Sequence, residues 1–297
     1  MLTLDAATLS VRAPGFNSVD APKRLRNGLT MTLASSPDTA TDLTAMHQLA
    51  EQFEAARAAN AAKMSRADIG DLLRLVPGKR AVIQGQFADR DCVWRMFLDP
   101  HDDAASREWA ELTRAWPEMQ GKRYRICEPL FFAPDQRLLA VELVQGTPLF
   151  KRIRHAESDE AVKLMDPAAG WLRRYTESTE SWAPARALGW LKRAERAASA
   201  QPFEKLQKLE SSILAELTRL ADRIEGTEWR TATCHGDYHP NNLISKGDRL
   251  TGIDTGGPGR MPIYKDIARF LMHMGRRGVV PSGQRAFGVD AAGLDAF

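Results

Sequence analysis

The sequence predicts a two-lobed α+β fold: a small five-stranded N-terminal lobe, then a mainly helical C-terminal lobe that looks short at its end. Three observations carry this. Short apolar runs broken by turn residues fill 69–98 and 126–144. Gly146 and Pro148 close the last of these runs as a hinge would. Beyond them, apolar residues recur at helical rather than strand spacing.

Residues 1–40 mix Pro, Gly, Ser, Asn and charges without sustained periodicity and read as a poorly ordered tail. From Asp42, the spacing of Leu43, Met46, Leu49, Phe53 and Ala56 predicts a helix that opens a lobe spanning 41–144. Within 69–98, the turns Pro77-Gly78-Lys79 and Ala88–Asp91 separate three strands. A helix follows His101–Asp103 and places Trp109, Leu112 and Trp116 near one face. Two more strands, Ile126–Ala133 and Leu138–Val144, are joined by Pro134-Asp135-Gln136. The second lobe, 145–297, carries helical spacing over 159–177, interrupted at Pro167, and over 185–200. Its strongest helix is 203–225, where Leu206, Leu209, Ile213, Leu217, Leu220 and Ile224 read as a core-facing stripe and Gly226 as the stop.

Composition excludes several classes. With 297 residues, 43% hydrophobic and 27% charged, the chain is a globular protein with length for about two domains. A net charge of +3 is too small for a dedicated nucleic-acid binder. No apolar run reaches a membrane span, and the N-terminus lacks a basic region followed by an apolar one, so neither membrane insertion nor secretion is expected. Three scattered cysteines fit a reducing compartment, and a cytoplasmic location is expected.

The chemistry concentrates in Thr233–Ile244 and Leu250–Thr255. Asp237 and Asn242 lie five apart in a loop-like segment, and Asp254 follows a short strand-like run that a hairpin returns beside them. A carboxylate and an amide oxygen form a hard oxygen site suited to Mg²⁺. Asp237 is then free to orient an attacking hydroxyl or take its proton. A metal clamp beside a positioned carboxylate is what phosphoryl transfer asks of a protein. His235, Asp237 and His239 alternate as zinc ligands on a strand would, but Gly236 and Pro240 argue against a regular strand there.

The pattern His235-Gly-Asp-Tyr-His-Pro-Asn-Asn242, followed by Ile253-Asp254, resembles the aminoglycoside phosphotransferase and choline kinase family, whose fold is similar to that of protein kinases. The resemblance covers about residues 65–275. It implies a phosphotransferase that uses ATP (or another nucleoside triphosphate) and Mg²⁺ on a hydroxyl of a small molecule. Asp237 matches the catalytic aspartate, and Asn242 and Asp254 match the metal ligands. His235 and His239 match loop-shaping histidines, and Asp266 matches an aspartate that braces the loop. Arg95 falls where a cation grips the nucleotide phosphates, with Glu108 as its partner and Glu111 one turn on as the alternative. Gly78 sits where a phosphate-covering loop belongs, and the backbone from Glu142 to Val144 where adenine would bind.

Three departures stand out. Arg95 replaces the family's lysine, Gly78 is alone in its loop, and only 43 residues follow Asp254. They support an alternative: a catalytically silent nucleotide-binding or scaffold protein of the same fold. Tyr238 and Tyr264 read as packing residues, Cys234 as a small buried hydrophobe, and Arg276-Arg277 as a solvated helix face. A polycationic acceptor requires carboxylates around the site, and a quaternary ammonium requires aromatic and acidic groups. The sequence does not place such groups, so sugar, amino-alcohol and other alcohol acceptors all fit.

Overall fold

A computed structural model describes residues 32–33, 40–257 and 259–297. The expected tail over 1–40 lies outside the described residues, apart from 32–33 and 40. In chain order the elements are β1 (Thr32–Leu33), α1 (Ala40–Ala59), α2 (Ala61–Met64), β2 (Asp68–Val76), β3 (Arg80–Phe87), β4 (Arg90–Phe97), α3 (Ala104–Ala115), β5 (Tyr124–Ile126), β6 (Pro129–Ala133) and β7 (Leu138–Glu142). There follow β8 (Thr147–Pro148), α4 (Leu149–His155), α5 (Ser158–Lys163), α6 (Met165–Thr176), β9 (Ser181–Pro184), α7 (Leu188–Ser199), α8 (Glu204–Ile224) and β10 (Glu228–Thr233). The chain ends with β11 (Leu243–Lys246), β12 (Arg249–Gly252), β13 (Arg260–Pro262), α9 (Tyr264–Gly275), β14 (Arg285–Ala286), β15 (Val289–Asp290) and α10 (Ala291–Ala296).

The chain divides into two compact units. The first comprises Met1–Tyr175, His235–Pro258 and Asp266–Phe297; the second comprises Thr176–Cys234 and Gly259–Lys265. The lobe boundary expected at 144/145 therefore falls inside the first unit.

The first unit is built on a sheet of order β1-β2-β3-β4-β7-β6. The five expected strands are all present and antiparallel to their neighbours. The sheet has six strands rather than five because Thr32–Leu33 pairs in parallel with β2. A two-residue strand is too short to leave a periodic signal in sequence. Between β3 and β4, Ala88 and Asp89 both adopt positive φ (49° and 62°), a left-handed two-residue turn whose twist suits an antiparallel hairpin.

Alternation along β4 positions the site. Cys92, Trp94 and Met96 enter a core shared with Leu49, Phe53 and Ile83. By the two-residue period of a strand, Arg95 points to the opposite face, where Phe97 joins the larger core. The α3 residues Ala105, Glu108, Leu112 and Ala115 share its buried stripe.

The helical segment expected over 159–177 is two helices, broken at Leu164. Pro167 is not the break; it sits in the first turn of α6, where its missing N–H is tolerated. The mainly helical region also carries a four-stranded sheet, β5-β12-β11-β8, within the first unit. The second unit has the sheet β13-β10-β9 and the helices α7 and α8.

The stripe expected to be core is exposed: Leu206, Leu209, Ile213, Leu217, Leu220 and Ile224 are 40–57% accessible. The α8 helix meets α7 at the edge of that stripe, through Ala221 against Ala187 and Leu191. Amphipathic spacing shows that a helix has an apolar face, not what covers it. Tyr264 is likewise exposed rather than packed, with Arg230 over its ring.

A column of rings runs through the first unit. Trp171 stacks on Tyr175 at 5.0 Å and on Tyr238 at 5.6 Å, and Tyr238 stacks on Phe270 at 5.3 Å. The Trp171 indole N–H donates to the Arg125 carbonyl (2.8 Å), and the Tyr238 hydroxyl to that of Ala168 (2.6 Å), so both buried polar tips are satisfied. Cys92, Cys127 and Cys234 are buried, and burial pushes the Cys92 and Cys127 thiols up to about 12. No helix among the described residues is long and apolar enough to cross a membrane.

Gly252 lets β12 lie against the column, since a Cβ there would overlap the Trp171 indole. Gly252→Ala should therefore destabilise the fold by about 1–3 kcal/mol, read from urea unfolding, whereas Gly189→Ala, which has open space, should not.

Candidate active site

Arg95 on β4 carries a buried charge, its side chain only 4% exposed. One arm of its guanidinium pairs with Glu108 on α3 and the other with Asp254, just after β12. Burial works against charge on Arg95, but Asp254 and Glu108 outweigh it, so the cation is held more firmly than in water. Burial pushes the Glu108 carboxyl up while Arg95 pulls it back; the Asp254 carboxyl is lowered, first by Arg95. Glu108 is thus the partner, not Glu111, which pairs with Arg114 and accepts the Tyr175 hydroxyl. Arg80, at the start of β3, adds positive potential on both Glu108 and Asp254. Asp254 holds φ of 60°, a strained value for a non-glycine residue, of a kind that concentrates at functional sites.

The chain from His235 to Asn242 is a loop ending in a single 3-10 turn at Pro240–Asn242. Asp266, near the start of α9 and 1% exposed, accepts the backbone N–H of His235 at 2.7 Å and of Gly236 at 3.1 Å. His235 is fully buried, with Nε2 3.0 Å from the Ile253 carbonyl, while Nδ1 accepts the Asp237 backbone N–H at 3.3 Å. This pattern places the proton on Nε2. Burial lowers its pKa to about 4, so the imidazole is neutral. The Asn242 amide donates to the Asp237 carbonyl (3.0 Å), and the Ile253 N–H donates to the Asn242 carbonyl (2.9 Å). Asp237, Asn242 and Asp254 are therefore joined through the backbone of one network.

The Asp237 carboxylate is half-exposed, with Arg269 Nη1 at 2.7 Å and His239 Nε2 at 3.6 Å. His239 and then Arg269 hold it well below the usual carboxylate range, so it is ionised at any working pH. The His239 ring stacks on His273 of α9 at 4.4 Å, and His273 Nε2 lies 3.1 Å from the Asn241 amide. Burial, then His239, lowers the His273 pKa to about 4.

Other expected residues stand apart from this network. Gly78 occupies the β2–β3 turn with φ of 67° and open space around it. Glu142 ends β7, pairing with Arg125 and accepting the Glu128 N–H at 3.2 Å. Val144 is partly buried against the larger core. Arg80, Arg269 and His273 were missed by sequence reasoning. Arg269 follows Asp266 by three on one helix, and Arg80 ends the Pro77–Arg80 turn, which was the available signal for each.

The donors fit a hard divalent cation. With its amide nitrogen engaged, Asn242 offers its oxygen, and Asp254 offers an ionised carboxylate. Beside them, the Thr255 hydroxyl is buried with no hydrogen-bond partner among the described residues. No three His, Cys, Asp or Glu side chains converge on a metal position among the described residues. A zinc cage at 235, 237 and 239 is not formed: His235 is turned to Ile253 and the Trp171 ring, and His239 to His273.

Residues 132–296 match the phosphotransferase enzyme family. Among solved structures, the chain is similar to a glucosamine kinase, with 17% identity and TM-score 0.44 over 77% of this chain and 60% of that one. It is similar to aminoglycoside phosphotransferase APH(4)-Ia, with 15% identity and TM-score 0.46 over 68% and 71%. It is also similar to a choline kinase from Streptococcus pneumoniae, with 14% identity and TM-score 0.49 over 81% and 83%. The chain spans about three-fifths of that glucosamine kinase. No curated protein sequence matches it.

Because the folded state holds His235 neutral, with a pKa of about 4 rather than 6.5, its contribution is fully present above pH 6.5 and lost as pH falls towards 4. The full loss is about 3 kcal/mol. The stability difference between the native chain and His235→Gln should narrow over that window, measured by urea unfolding at each pH; a constant difference contradicts the neutral imidazole.

Proposed function

Because the chain belongs to the phosphotransferase enzyme family, we propose that it is a kinase that moves the γ-phosphoryl group of ATP to a hydroxyl of a small molecule. Its fold is the kinase-like α+β fold the sequence predicts. What supports the reading most is that Asp237 and Asn242 share one hydrogen-bonded network with Ile253, the residue before Asp254, and that Asp254 is joined to a buried Arg95–Glu108 pair.

In this reading Asn242 and Asp254 hold Mg²⁺. The cation, when bound, neutralises charge on the phosphate oxygens. Arg95 and Arg80 supply positive potential from the protein side, and Glu108 keeps the Arg95 guanidinium aimed at the site. Val144, whose N–H and C=O make no backbone hydrogen bond among the described residues, offers both groups to adenine. Asp237 accepts a hydrogen bond from the acceptor hydroxyl, aligns it, and takes its proton as the new bond forms. With its pKa held low, Asp237 is a weak base, so alignment is its larger contribution.

A second reading, a silent nucleotide-binding protein, has one observation in its favour: Arg95 pairs directly with Asp254, the carboxylate that would hold the metal. The two readings part on measurement. In the kinase reading, Mg²⁺-ATP at one hundred times its dissociation constant should stabilise the native chain by about 2.7 kcal/mol in thermal unfolding. Asp254→Ala should abolish the Mg²⁺-dependent part of that shift. Asp237→Asn should keep the shift while cutting phosphoryl transfer by about 10²–10⁴-fold. Binding without transfer to any acceptor supports the silent reading, and a folded chain without the shift contradicts both.

A further inference from the structure

We propose that the acceptor carries an anionic group, a carboxylate or a phosphate, and that this group docks on a basic face of α9 running away from Asp237. This rests on the phosphotransferase reading and names its substrate class. Arg269, His273, Arg276 and Arg277 stand at i, i+4, i+7 and i+8, so they share one face of α9 and its continuation. Eight residues of helix span about 12 Å. The face begins at the catalytic carboxylate, since Arg269 Nη1 lies 2.7 Å from Asp237.

The face is held in place. His273 lies between His239, stacked at 4.4 Å, and the edge of Phe150 at 5.4 Å. The Arg277 guanidinium lies over the Phe150 ring at 5.7 Å and donates one N–H to the His273 carbonyl at 3.2 Å. Arg276 and Arg277 are exposed and have no ion-pair partner among the described residues. Asp237 is also the only acid that pairs with any of these basic groups among those residues. The acidic run Glu157–Glu160 turns its Glu160 to Arg152 at 3.8 Å, not to this face.

Charge therefore selects the acceptor. An ammonium group entering beside Asp237 meets Arg269 on the carboxylate and, beyond it, two guanidinium groups with no ion-pair partner among the described residues. A carboxylate or phosphate meets planar donors that bind oxyanions in pairs. A hydroxyl at Asp237 with an anion about 6–12 Å away falls along the stretch of helix from Arg269 to Arg276 and Arg277, past a neutral His273.

The test uses the full chain with Mg²⁺-ATP and four acceptors: 4-hydroxybutanoate, glycerol 3-phosphate, butane-1,4-diol and 4-aminobutan-1-ol. The proposal expects kcat/KM at least tenfold higher for the anionic acceptors than for the diol and the amino alcohol; the first two separate carboxylate from phosphate. Arg276→Gln with Arg277→Gln should raise KM at least tenfold for the anionic acceptors and leave the diol unchanged. Preference for the amino alcohol, or an equal change for all four, overturns it. Inorganic phosphate binding, measured calorimetrically with Mg²⁺-ADP saturating, provides a readout without turnover. Phosphate affinity should fall at least tenfold in the double variant, and unchanged affinity overturns the proposal. Should no acceptor react while phosphate binding falls as expected, the phosphotransferase reading fails and the anion face stands.

Discussion

A guanidinium taken out of water must be paired, and much of the site's geometry follows from how Arg95 meets that demand. Its two arms reach a carboxylate on α3 and a carboxylate after β12, so one buried cation ties sheet, helix and loop together. Removing Arg95 would leave the Glu108 carboxylate buried and uncompensated, which costs several kcal/mol. A lysine ammonium has no rigid fork with which to span two carboxylates in the same way. The arrangement has a consequence for function. Asp254 is already paired with Arg95, so any cation drawn to it would share or displace that contact. The strained backbone of Asp254 belongs to the same compromise between holding the carboxylate and presenting it.

The loop that carries Asp237 is organised differently, through backbone groups rather than side-chain charge. Asp266 gathers two N–H groups, His235 links the loop to Ile253, and Asn242 closes it on the Asp237 carbonyl. Each of these polar groups is buried or nearly so, and each finds a partner, as the cost of burying an unpaired polar group requires. The neutral His235 is a part of this economy: a charged imidazole against Trp171 would be expensive. Beneath the loop, the stacked rings of Tyr175, Trp171, Tyr238 and Phe270 give it a stiff floor. The result frees the Asp237 carboxylate to face solvent while its backbone is fixed.

Two amphipathic helices show how pattern and environment separate. The α8 stripe has the spacing of a core face yet lies exposed, while the α9 face of Arg269, His273 and Arg277 has the composition of a solvated surface yet starts on the Asp237 carboxylate. In both, the period states which residues share a face, and only the neighbours decide what that face meets.

Much of the fold was legible because it rests on short-range rules. The five strands of the main sheet, the turns between them and the α3 helix follow from alternation, turn residues and helical spacing over windows of 5–15 residues. Asp237, Asn242 and Asp254 were legible as candidates too, since their residue types and spacing sit within one stretch of chain. The sequence by itself therefore determined the strands and turns of the main sheet, the α3 helix and the set of candidate site groups. Contact between distant residues was left to the tertiary structure. It decided that Glu108 rather than Glu111 meets Arg95, that Arg95 also reaches Asp254 across 159 positions of chain, and that Arg269 closes on Asp237. The physical reason is that buried charges choose partners by distance and desolvation, and neither quantity exists until strands, helices and loops have packed.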